Sequence, residues 1–194
     1  VAGGAGGIGS RIANTFAAQG AKVVIASRNV EKLNQVAGEI EGQGLVCLPL
    51  ACDVTDPEQV EKLMADTEAK FGSINVMVNN AGGAMFVKPP EKLRPEQWQA
   101  AIDLNLNSVF YCSAAAGQRM IEQGSGRIIN ISSVAGVKNS PAFVHYGAAK
   151  AGVINLTKSM AVCWGPHNIN VNCIAPGLTA TEGVAQWLPP KTHE

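Results

Sequence analysis

Residues 2–28, AGGAGGIGSRIANTFAAQGAKVVIASR, decide the fold. Gly3, Gly7 and Gly9 give the spacing GxxxGxG, and they are followed first by a segment of helical period and then by the apolar run KVVIAS at 22–27. Glycine is needed where a backbone must turn sharply and let a ligand approach without a Cβ in the way. A helix opening at such a turn presents free N–H groups and the positive end of its dipole. Glycine-rich turn, helix and strand in that order read as a pyrophosphate cradle rather than a flexible glycine-rich end.

Working outward, apolar runs of strand length alternate with longer segments of helical period. Strands are expected at 22–27, 45–50, 74–80, 127–132 and 169–175, with a remnant of a first strand at Val1-Ala2. They are nearly continuous in Val, Ile and Leu, as parallel strands covered on both faces are. Helices are expected at about 8–19, 29–41, 57–70, 95–122 and 144–164. Asp56-Pro57 reads as an N-cap followed by proline at the first helical position, and Arg94-Pro95-Glu96 is a similar start. The alternation implies an α/β fold, a doubly wound parallel sheet with right-handed crossovers.

The 194 residues are the length of one domain, and 1–194 is taken as a single dinucleotide-binding unit. Fifteen basic and fifteen acidic residues cancel, so no net field points to nucleic acid or to an anionic membrane. No apolar run approaches the length of a membrane span. Cys47, Cys52, Cys112, Cys163 and Cys173 are odd in number and lack a CxxC pair, which predicts no metal site and a reducing cytoplasmic setting.

Ser27-Arg28 ends the strand after the glycine-rich turn, where an acid would hold the ribose 2′-hydroxyl of NAD. The missing carboxylate and the arginine fork favour a 2′-phosphate, and hence NADP(H) over NAD(H). Asp53-Val54 follows the next strand and could either meet an adenine or cap a helix. Asn79, Asn80, Ala81 and Gly82 close the strand after that. Asn105 lies midway along the long 95–122 helix, where asparagine is unusual and suggests a kink or a bound water. Tyr146 and Lys150 stand at i, i+4 in HYGAAKAG, on one helix face, and Ser133 lies thirteen residues upstream in IINISSVAG. A lysine cation beside tyrosine favours the phenolate, so Lys150 is expected to lower the Tyr146 pKa and make a usable acid and base. Ser132 is a rival to Ser133. His145 has no evident task, and His167 and His193 read as surface residues. Trp98, Trp164 and Trp187 read as packing residues. Pro176-Gly177 ends the last strand.

In this order and spacing, GxxxGIG, NNAG, Asn, Ser, YxxxK and PG resemble the short-chain dehydrogenase/reductase family across essentially the whole chain. The resemblance implies Rossmann topology with strand order 3-2-1-4-5-6 and reversible hydride transfer between NADP(H) and a ketone or secondary alcohol. It implies that Tyr146 is the general acid/base, Ser133 binds the substrate carbonyl, Lys150 binds the nicotinamide ribose, and Asn105 holds a relay water. Gly3, Gly7, Ile8 and Gly9 would line the pyrophosphate, Asp53-Val54 the adenine and Asn80-Ala81-Gly82 the ribose side. Pro176-Gly177 and Thr181 would touch the nicotinamide. The segments VVIASRN and FVHYGAAKAGVINLTKSMA are similar to reductases of acyl thioesters, 3-oxoacyl-carrier-protein and enoyl-CoA types among them. Dimers or tetramers through the helices at 95–122 and 144–164 are implied as well.

Two departures stand out. Ala2 occupies a position where the family usually has threonine. The chain also starts with almost no first strand and ends at Glu194 without the family's last strand, so a domain cut at both ends is expected. The rival reading is a non-catalytic dinucleotide-binding or assembly protein of the same fold.

Overall fold

The structure is a computed structural model and describes residues 1–181. Its strands are β1 (Val23–Ser27), β2 (Cys47–Ala51), β3 (Val76–Asn79), β4 (Gly126–Ile131) and β5 (Ile169–Ile174). All pair in parallel: Val23 lies opposite Cys47, Val76 opposite Arg127, and Gly126 opposite Ile169. Ala2 forms single parallel bridges to Ala26 of β1 and Asn79 of β3. Counting Ala2 as a one-residue first strand, the order is β2-β1-Ala2-β3-β4-β5, which is the expected 3-2-1-4-5-6. The expected missing last strand concerns residues outside those described.

The helices are α1 (Gly7–Ala18), α2 (Val30–Glu41), α3 (Pro57–Phe71), α4 (Pro95–Ile102), α5 (Ser108–Gln123) and α6 (Val144–Trp164). Alternation along the strands explains the two layers of core. Val23, Ile25 and Cys47 join Leu33, Val36 and Ile40 of α2 and Ala13 and Ala17 of α1. On the opposite face Val24, Ala26 and Leu50 join residues of α3, α5 and α6, among them Val60, Met64, Cys112 and Met160. Asp56 caps α3 as read from the sequence, accepting from the amides of Glu58 and Gln59 with Pro57 first in the helix. Between β1 and β3 runs a trough of about 430 Å³ whose lining includes Val24, Met64, Phe71 and Val76.

The long helix expected at 95–122 is a correction. It comprises α4, a π-helical turn at Asp103–Asn107, and α5. The Ser108 amide bonds to the Asp103 carbonyl, five residues back. Asn105 Nδ2 donates to the Ala101 carbonyl at 3.0 Å, and Ser108 Oγ to the Leu104 carbonyl at 2.6 Å. Side chains bonding carbonyls four residues back compete with the α-helical ladder, and a π turn is the local outcome.

Candidate active site

The carboxyl ends of the strands open into a cleft of about 900 Å³. At one end is the glycine-rich turn. Gly3 has φ +73, a left-handed conformation that favours glycine. A Cβ on Gly9 would overlap the Gly3 carbonyl oxygen, and one on Gly7 would come within 2.8 Å of Thr181 Cβ. Gly6 caps α1 without a side-chain bond, so no side chain competes for its first-turn amides. Open amides at a helix start, in a turn with no room for a Cβ, fit a dinucleotide pyrophosphate.

Of the residues read from the sequence, Gly3, Gly7, Ile8, Ser27, Arg28, Val54, Asn80, Ala81 and Gly82 line this cleft. So do Ser133, Tyr146, Lys150, Pro176, Gly177 and Thr181. Gly9 shapes the turn beneath it. Asp53 behaves differently from its neighbour Val54. Its carboxylate accepts from the Thr55 amide at 3.0 Å and the Thr55 hydroxyl at 2.8 Å, and stands 3.7 Å from Arg28. Partial burial opposes ionisation there, yet the Thr55 bonds and Arg28 hold its pKa below the ordinary value. Asp53 therefore closes a turn ahead of α3, whose cap is Asp56, while Cys52 and Val54 form the cleft wall.

At the other end, β4 carries Ser133 just past its last residue and α6 carries Tyr146 and Lys150 one turn apart. Lys150 is buried; its Nζ donates to the Ile131 carbonyl at 2.8 Å and lies 5.7 Å from the Tyr146 ring centroid. Burial lowers the Lys150 pKa to about 8, with slight relief from Cys173. Burial also pushes the Tyr146 phenol above its ordinary value, partly offset by the Ser133 hydroxyl. The expected lowering of Tyr146 by Lys150 is thus not what the chain alone produces. Desolvation of the phenolate dominates, and the ammonium is directed at a backbone carbonyl.

Asn105 is fully buried and clamps a cleft segment: its Oδ1 accepts from the Gly83 amide at 2.9 Å and its Nδ2 donates to the Gly83 carbonyl at 3.1 Å. A Cβ on Gly82 would come within 2.7 Å of Asn105 Oδ1 and 3.0 Å of Lys150 Nζ, so the backbone passes close between them. Asn80 Nδ2 donates to the Gly3 carbonyl at 3.1 Å, tying the segment after β3 to the glycine-rich turn. Of the two serines, Ser133 accepts from the Ala135 amide at 3.2 Å, while Ser132 is buried and donates to the Lys150 carbonyl at 2.7 Å. His145 is buried with neither ring nitrogen bonded among the described residues, its ring 5.8 Å from Phe86. Val87, Leu104, Phe143 and Leu178, which sequence reading did not single out, supply apolar wall; isolated apolar residues carry no sequence signal of that role. Trp187 and His193 lie outside the described residues. No metal-holding cluster and no membrane-length apolar helix occurs among the described residues.

The same chain matches the family profile of short chain dehydrogenases over residues 1–191. It is 40% identical over 201 residues to a 3-oxoacyl-[acyl-carrier-protein] reductase of Synechocystis, covering 97% of this chain and 80% of that one. It is 38% identical over 182 residues to gluconate 5-dehydrogenase of Gluconobacter oxydans, covering 94% and 71%. Among solved structures it superposes on a short-chain type dehydrogenase/reductase from Mycobacterium ulcerans with TM-score 0.92 at 31% identity, covering 95% and 68%. It also superposes on an actinorhodin polyketide ketoreductase variant with NADPH, with TM-score 0.92 at 31% identity, covering 96% and 72%. Together with the cleft, these matches make the chain a member of the short-chain dehydrogenase/reductase family of nicotinamide-dependent oxidoreductases.

Proposed function

We propose that this chain catalyses reversible hydride transfer between NADP(H) and a ketone or secondary alcohol. The observation that carries the reading is the convergence of Ser133, Tyr146 and Lys150 on a cleft whose far end is the glycine-rich turn. NADP(H), when bound, supplies or accepts the hydride. The chain's own residues handle the oxygen. Ser133 Oγ holds the carbonyl oxygen, and the Tyr146 phenol delivers its proton as alkoxide character develops. Lys150 binds the nicotinamide ribose from its place beneath Tyr146, and Asn105 holds the Gly83 backbone and, with it, the ribose side of the cleft. Tyr146→Phe is expected to abolish turnover while leaving NADPH binding within about twofold, as read by fluorescence titration. Near-normal turnover in that variant would refute the assignment.

Arg28, exposed at the cleft edge with no acid at the end of β1, supports NADP(H) over NAD(H). A thermal-shift titration is expected to show NADPH stabilising the chain more than NADH, and Arg28→Ser to equalise the two. Equal shifts in the parent chain would remove the preference. For substrate, the 40% identity to a 3-oxoacyl-[acyl-carrier-protein] reductase and the partly apolar cleft favour a 3-oxoacyl thioester. Self-association as a homodimer or homotetramer through α5 and α6 is part of this reading, supported by Phe110 and Val162, large apolar side chains left exposed on those helices. Five free thiols accord with a reducing, cytoplasmic setting.

A further inference from the structure

The geometry points to Ser132 as a positioning residue that fixes the end of β4, and so Ser133, against the helix turn that carries Tyr146 and Lys150. This rests on the functional reading above and adds a residue to it.

The contact is reciprocal. Ser132 Oγ donates to the Lys150 carbonyl at 2.7 Å, and Lys150 Nζ donates back to the Ile131 carbonyl at 2.8 Å. The last residue of β4 and the one after it thus grip one helix residue by its side chain and by its backbone. Both Ser132 and Lys150 are almost wholly buried, 3% and 2% exposed, where water does not compete for these bonds.

Two glycines let the surfaces come that close. A Cβ on Gly136 would stand 2.8 Å from the Lys150 carbonyl oxygen and 2.7 Å from the Ala151 amide nitrogen. A Cβ on Gly147 would stand 2.9 Å from the Ala135 carbonyl oxygen. The turn after Ser133 therefore lies flush on α6 over the span that holds both functional side chains.

A second bond lies two turns further along the helix. Asn130 Nδ2 donates to Thr157 Oγ1 at 2.9 Å, and Thr157 Oγ1 donates to the Val153 carbonyl at 2.7 Å. Asn130 Oδ1 in turn accepts from Asn79 Nδ2 at 2.8 Å, which ties the line into β3. The helix is held at residues 150 and 157, so it can neither slide nor rotate against β4 without breaking buried bonds. Small displacements of reacting groups cost rate steeply, and a device that sets the Ser133 to Tyr146 spacing acts on rate rather than on cofactor affinity.

The test uses Ser132→Ala and Ser132→Thr, the second keeping the hydroxyl. With any ketone the parent reduces, Ser132→Ala is expected to lower kcat about tenfold and leave NADPH affinity within about twofold. Tyr146 gives a readout independent of substrate. The chain has two tyrosines, so in a Tyr111→Phe background ultraviolet difference titration follows the Tyr146 phenol alone. Ser132→Ala is expected to move its midpoint up by about half a pH unit, as Ser133 loses its alignment, and Ser132→Thr to restore it. Should Ser132→Ala fail to fold, Thr157→Val removes the second bond and is expected to change both readouts in the same directions. A folded Ser132→Ala with parent kcat and parent phenol midpoint overturns the proposal. So does a loss of kcat matched by an equal loss of NADPH affinity, which would be general damage. An active Tyr146→Phe refutes the functional reading instead, and the phenol titration still reports on Ser132.

Discussion

His145 is a buried titratable group with no hydrogen-bond partner among the described residues, next in sequence to Tyr146. Burial lowers its pKa from the ordinary 6.5, so the folded chain holds it neutral. An imidazole of lowered pKa contributes stability that is complete above about 6.5 and is lost as pH falls through the lower folded value. His145→Leu is expected to raise the melting temperature and flatten its decline below that pH, since two orphaned nitrogens leave the core. Melting curves from neutral to mildly acidic pH check this, and an unchanged decline would place the acid sensitivity elsewhere. The sequence marks Tyr146, Lys150 and Ser133 through their spacing, because chemistry needs those types at those places. It offers Ser132 only as a rival to Ser133 and is silent on Gly136. Their importance arises from what β4 and α6 bring together, and no local pattern records a contact between residues 132 and 150.

At the scale of elements, the strands and helix starts were legible because each rests on local physics: β-branched apolar runs, Asp56 before Pro57, glycines at the first turn. The π turn was legible only as an anomaly, an asparagine in a helix interior. Part of what holds it is tertiary, since the Gly83 backbone, 22 residues earlier in the loop after β3, meets both polar atoms of Asn105. Asn105→Leu would strand the Gly83 amide and carbonyl, at a cost of about 1–3 kcal/mol. It is expected to lower the midpoint of urea unfolding and to weaken NADPH binding together, because residues 82 and 83 line the cleft. Loss of stability with unaltered binding would mean that the clamp serves packing only. Asp53 shows the opposite limit of sequence reading: adenine contact and helix cap were both open, and the Thr55 bonds give it a turn-closing place that depends on how the chain folds back after β2.

For the whole molecule, alternation of period was enough to give the doubly wound class, since right-handed crossovers leave few alternatives, while the strand order came from the family resemblance. What it did not show is that the cleft spans both halves of the sheet, with Gly7 and Arg28 on one bank and Asn80 and Lys150 on the other. A dinucleotide gripping both banks therefore acts as a suture, and its arrival is expected to slow amide exchange in β1 and β4 alike.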